Sequence, residues 1–287
     1  MDTLLEPFAY AFFRHALIVA VLAGALTGLI GVYVVLRGMS YIGHGLSHAI
    51  FGGAVASYAL NVNFYLGAGV WGLVSALLIQ RVARRRSIGA DAAIGVVTSA
   101  SFAVGIAIIS VIGTFTRNFE AALFGNVLGV TAGDVWVVAG VAAFAALVVF
   151  FRYRELLFST FDPEVAEVSG VRTGQVDALL AITLAATITV TMNVLGVTLI
   201  AATLVIPPVV ARLLTDSFGR MLWISVGTGT LAGFVGVYAS YYLNWSSGAS
   251  VVICASILFV LAFLLAELRG RRSALRAADV LVESHLD

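Results

Sequence analysis

The feature that most constrains this chain is the rhythm of its apolar runs. Nine stretches, at roughly 15–36, 45–60, 64–80, 92–113, 128–151, 176–195, 197–214, 221–243 and 248–267, are almost free of charge. Most are about twenty residues long, enough for a helix to cross a hydrocarbon core about 30 Å thick. A transmembrane β-barrel needs short alternating segments, and these runs are continuous. Composition agrees, since only 11% of the 287 residues are charged and 61% are hydrophobic; a soluble domain carries about 25% charged residues. The expected fold is all-α, a polytopic transmembrane helical bundle. It has eight or nine spans, because 45–60 is short and 197–214 is interrupted by Pro207-Pro208.

The basic residues predict an orientation, and all sixteen are arginine. Arg37 follows the first run, and Arg81, Arg84, Arg85 and Arg86 follow the third. Arg152, Arg154 and Arg172 follow the fifth, Arg212 and Arg220 bracket the end of the seventh, and Arg269, Arg271, Arg272 and Arg276 follow the last. Successive clusters lie two runs apart, so these fourteen share a side, and only Arg14 and Arg117 fall on the other. By the positive-inside rule the shared side is cytoplasmic, with the N-terminus outside and the C-terminus inside. The longest polar stretch is the 152–175 loop, so residues 1–287 read as one integral-membrane domain with a cytoplasmic tail at 268–287. Asp2 and Glu6, with no basic n-region, argue against a cleaved signal peptide. The single Cys254 sits in an apolar run and offers no disulfide framework.

The absence of lysine is informative. A Walker A loop needs its Lys to reach nucleotide phosphates, so this chain cannot carry that ATPase motif. An ATP-driven function would need its motor on another polypeptide. Small-residue spacings, Gly24-x-x-x-Gly28 and Gly229-x-x-x-Gly233, predict close helix packing in lipid and no more.

Three features carry candidate chemistry. His44 and His48 stand four residues apart, which on a helix stacks both imidazoles on one face. Ionisable side chains at membrane depth are costly and are functional candidates for that reason. Imidazole suits zinc, iron and copper better than magnesium or calcium, so the pair points to a path for a transition-metal ion; two packing histidines are the plain alternative. Gly45 follows His44 where a zinc protease would place its Glu, so hydrolytic chemistry is not expected.

The second feature is Asp162-Pro163-Glu164, which reads as an N-cap, a first-position Pro and an acid at the positive end of a helix dipole. Gly170 closes that helix after about two turns. It is either an amphipathic connector or a docking helix that passes a partner's motion to the spans, with Asp162, Glu164, Ala166 and Gly170 as its candidate residues. The third is Gly196 to Arg212, in which Pro207-Pro208 reads as a helix stop or as a gate hinge. The helix stop is the simpler expectation.

Together these segments resemble the membrane subunits of the ATP-binding-cassette importers for zinc, manganese and iron. That family's second-helix pattern is similar to Arg-x-Met-Ser-x-x-Gly-Asp-Ala-Leu-Ser-His-Ala, and here Arg37, Met39, Ser40, Gly43, Leu46, Ser47, His48 and Ala49 match it. Its Asp-Pro-Glu-x-Ala-x-x-x-Gly matches Asp162 to Gly170, and its Gly-x-x-Leu-x-x-Ala-x-Leu-x-x-Pro run resembles Gly196 to Pro207. Phe124-Gly125-Asn126-Val127-Leu128 resembles the family's Phe-Gly-Ser-x-Leu. The departure is His44, where many members have Asp. The resemblance therefore carries the ion site to His48 directly and to His44 by substitution. A softer site leans away from manganese and towards zinc or iron.

The resemblance implies a permease subunit, not itself an enzyme, in a bacterial plasma membrane. It further implies a homodimer, a separate cytoplasmic ATP-binding subunit, an extracytoplasmic metal-binding protein, no nucleic-acid partner and no permanently bound cofactor. The cargo would be a divalent zinc, manganese or iron ion. A permease for a metal chelate such as a siderophore or haem shares the scaffold. A scaffold protein whose histidines only pack is a non-transport reading. An ion-coupled secondary carrier would need carboxylates inside the spans, yet Asp91, Glu120, Asp134, Asp162, Glu164, Glu167 and Asp177 lie in loops or near span ends.

Overall fold

The computed structural model describes residues 5–60, 62–83, 88–112, 125 and 129–283, and among them every regular element is helical. Arg84 to Arg86, Arg117, Glu120, Phe124 and 126–128 lie outside the described residues. A 3-10 turn, Glu6–Ala9, precedes α1 (Ala11–Leu36), α2 (Ile42–Ala59), α3 (Phe64–Ala83), α4 (Ala90–Ile112) and α5 (Ala132–Phe151). Then come α6 (Tyr153–Phe161), α7 (Pro163–Val168), α8 (Thr173–Leu195), α9 (Ile200–Leu214), α10 (Phe218–Leu243) and α11 (Ser247–Glu283).

Among the described residues seven helices are long and apolar enough to cross a membrane: α1, α3, α4, α5, α8, α10 and α11. The two other expected spans are α2, of 18 residues, and α9, of 15. At 1.5 Å per residue α9 is about 22 Å long, short of the hydrocarbon thickness. They are the same two runs whose shortness or prolines left the count open. The helix of α11 continues through 268–283, where the sequence suggested only a tail.

Packing follows composition. Helices α1 and α8 are the most buried of the long helices, with about two thirds of each span inside the bundle; a largely apolar helix without a polar face belongs in a core. Within α8 the buried Thr183, Thr187, Thr189 and Thr191 donate to carbonyls one turn back, which satisfies their hydroxyls without a neighbour. Helix α1 meets α10 along a seam of small residues. A Cβ placed on Gly24 would lie 2.1 Å from the Gly229 carbonyl oxygen, and one on Gly233 would lie 2.4 Å from that of Ala20. Ser225 adds a hydrogen bond from Oγ to the Gly28 carbonyl at 2.6 Å. The small-residue spacings are packing devices.

Contacts sort the helix ends into two groups. Arg37, Gln80, Ala83, Ala90 and Asp177 line one cavity, so the ends of α1 and α3 and the starts of α4 and α8 meet there. Phe218 at the start of α10 joins the same group through ring contacts with Tyr33, Tyr153 and Phe161. At the other end Phe13 of α1 packs on Tyr238 and Tyr241 of α10. There Tyr65 of α3 also donates its hydroxyl to Asp134, which forms a capping box with Thr131 at the start of α5.

One expectation fails. Pro207 and Pro208 do not stop a helix: α9 passes through both and runs on to Leu214. Proline lacks an N–H, so Pro208 leaves the Leu204 carbonyl without its helical donor. That carbonyl instead abuts Gly31 of α1, where a Cβ would stand 2.1 Å from the oxygen. The proline is tolerated because its broken bond faces protein.

Candidate functional site

Helix α2 is held on three sides by its own glycines. A Cβ on Gly43 would meet Leu204 of α9 at 2.8 Å, one on Gly45 would meet Ile94 of α4 at 2.6 Å, and one on Gly53 would meet Trp71 of α3 at 2.2 Å. Gly52 lies against the Ser101 carbonyl of α4 in the same way, at 2.5 Å. The crowding fixes the rotation of α2 and thereby where its histidines point.

His44 and His48 stand together as their spacing predicts, ring centroids 4.6 Å apart at 76°. His48 is half-buried and its ring meets the edge of Phe102 on α4 at 5.3 Å; His44 is exposed. Ser47 between them is buried and donates to the carbonyls of His44 at 2.8 Å and Val197 at 3.0 Å. Val197 belongs to the non-helical link between α8 and α9, which Gly196 opens at φ 81°. Irregular backbone therefore lies beside the histidine pair. In a bilayer such backbone is tolerated where it is covered by protein or lines a path. Among the described residues no group of three or more His, Cys, Asp or Glu gathers to hold a metal ion. One chain brings two imidazoles.

The 162–170 segment folds as its pattern predicts. Asp162 caps α7 by accepting from the Val165 N–H at 2.9 Å, and Pro163 takes the first helical position. Gly170, at φ 85°, ends it in a Schellman turn: its N–H reaches the Glu167 carbonyl at 3.0 Å, and that of Val171 reaches Ala166 at 2.9 Å. Ala166 is fully buried within the chain, while Val165 and Val168 are exposed at 52% and 91%. Glu164 is exposed, and Glu167 accepts from Thr173 Oγ1 at 2.5 Å.

Arg37, a topology marker and the first residue of the second-helix pattern in the sequence, holds a junction that neither reading foretold. Its side chain is 12% exposed and donates from Nη1 to Asp177 Oδ1 at 2.7 Å, from Nη2 to Ser159 Oγ at 2.7 Å and from Nε to Thr160 Oγ1 at 3.1 Å. One guanidinium thus joins the end of α1 to the end of α6 and the start of α8. A cavity of about 190 Å³ opens beside it, lined also by Met39, Ile42, Gln80 and Leu184. The local signals were an arginine between two apolar runs and its place at the head of the second-helix pattern, but its three acceptors lie more than 120 residues away along the chain.

Edge-to-face imidazoles on a crowded helix, a helix break at their side and a short capped helix outside the long apolar helices mark a multi-pass membrane transport subunit. The chain belongs to the ABC 3 transport family, whose description matches residues 9–266. It is 36% identical over 262 residues to the manganese transport system membrane protein MntC of Halalkalibacterium halodurans, covering 91% of this chain and 90% of that one. It is 33% identical to a probable iron transport system membrane protein of Haemophilus influenzae, over 94% of this chain and 99% of the relative. Among solved structures, PsaBC from Streptococcus pneumoniae in complex with Fab aligns with a TM-score of 0.82 at 31% identity, over 91% of this chain and 95% of that chain.

Proposed function

We propose that this chain is the single-domain membrane subunit of an ATP-driven importer of divalent transition-metal ions, with His44 and His48 on the ion's path. The observation that carries the reading is the edge-to-face histidine pair beside the α8–α9 break. The relatives named for manganese and iron transport support the cargo class. The cargo is substrate, not cofactor, and two imidazoles per chain bind it weakly enough for release.

An exposed His44 is supplied with a partner if two copies meet across a two-fold axis at this face, which brings up to four imidazoles to one level. A cytoplasmic ATP-binding subunit docks on α7 through the exposed face that Val165 and Val168 present, with Asp162 and Gly170 fixing the helix ends and Ala166 seating it on the chain. Glu164 lies on the solvent side of that helix. An extracytoplasmic metal-binding protein delivers the ion at the Asp134 end. Pro207 and Pro208 act as a hinge in α9, since their missing bonds leave that helix weakest where it passes α1.

The test is uptake. The permease, reconstituted with its ATP-binding subunit and binding protein, is expected to take up manganese, iron or zinc only with ATP present. Metal uptake that proceeds at the same rate without ATP, or is absent for all three metals, sinks the reading.

A further inference from the structure

We propose that Arg37 is the positioning residue that carries motion from the docking helix to the histidine helix; the inference rests on the transport reading above. The path is short at every step. Helix α7 is joined to α6 by Asp162 alone, and Ser159 and Thr160, at the end of α6, hold the Arg37 guanidinium. Arg37 caps α1, and the turn from α1 to α2 is closed by a second Schellman arrangement. The Gly38 N–H bonds the Val35 carbonyl at 3.1 Å, that of Met39 bonds Val34 at 3.0 Å, and Gly38 sits at φ 67°. A turn bonded in this way moves as a unit, and α2 begins three residues beyond Met39 with His44 in its first turn.

Two further observations separate a relay from a static brace. The guanidinium bonds three side chains on two separate helices, so it ties α6 and α8 to the turn. The cavity beside it is lined by Arg37, Met39 and Ile42 of that same turn, which gives the turn free volume to move into. Charge-assisted hydrogen bonds in fork geometry transmit orientation as well as force, which a lysine at this position would not.

The experiment measures the ratio of manganese imported to ATP hydrolysed in the reconstituted full complex. Two variants are compared with wild type: Arg37→Lys, and Ser159→Ala with Thr160→Val, which leaves the Arg37–Asp177 pair in place. In both, ATP hydrolysis should stay within about twofold of wild type while metal moved per ATP falls at least about tenfold, the size of an ordinary coupling energy. Wild-type stoichiometry in the second variant overturns the inference. Parallel loss of hydrolysis, transport and complex yield marks a structural brace and overturns it equally. A wild-type complex that moves no metal removes the transport reading and this inference with it.

Discussion

At the scale of single residues, the histidine pair is asymmetric. His48 is half-buried against Phe102, whereas His44 is exposed, so a change at 44 disturbs packing less. His48→Ala is expected to abolish metal uptake while the complex still assembles. His44→Asp should keep transport and shift preference towards manganese, because a carboxylate oxygen is a harder ligand than imidazole. Competition between manganese and zinc in the uptake assay reads the shift. If His44→Ala/His48→Ala imports every metal at the wild-type rate, the rings only pack. The pair was legible in the sequence because i and i+4 is a local relation on any helix. The Arg37 junction was not, since hydrogen bonds to Ser159, Thr160 and Asp177 depend on how distant helices assemble.

At the scale of elements, local chemistry predicted local structure well. The cap, first-position proline and closing glycine of α7 are each where the pattern put them, because each satisfies a backbone group within one turn. Which face of α7 points outward is set by tertiary packing: Ala166 is buried, and Val165 and Val168 are outermost. The proline pair was misjudged for a related reason. A stop is the rule for a helix in water, but the Leu204 carbonyl freed by Pro208 meets Gly31 on another helix, and only tertiary contact reveals that. The glycines of α10 allow a paired test. Gly229 faces Gly24 across the seam, whereas Gly227 faces open space. Gly24→Ile should destabilise the purified permease by about 1–3 kcal/mol through overpacking. Gly227→Ala should stabilise it by about 0.5–1 kcal/mol through lower chain entropy. Thermal unfolding in detergent checks both, and equal effects would mean that the seam is not the tight contact described.

At the scale of the whole molecule, the arginine pattern and the helix contacts were independent routes to one partition. Arginine clusters were sorted by counting runs, and the cavity lined by residues 37, 80, 83, 90 and 177 brings four of those run ends together. The partition needs α2 and α9 to be counted as crossings. Neither has the length and hydropathy of the seven long helices, and both are gripped by neighbours through glycine contacts, so protein packing does for them what lipid contact does for the rest. Which end faces the cytoplasm follows from charge alone, and it can be measured at two exposed positions of opposite ends. In a Cys254→Ala background, Val62→Cys lies in the link between α2 and α3, and Val168→Cys lies at the end of α7. An impermeant thiol reagent added to intact cells should label the cysteine at 62 and reach the one at 168 only after the membrane is opened. Labelling at 168 from outside, with 62 protected, would invert the protein. The docking helix would then face away from any cytoplasmic ATPase, and the proposed direction of transport would lose its footing.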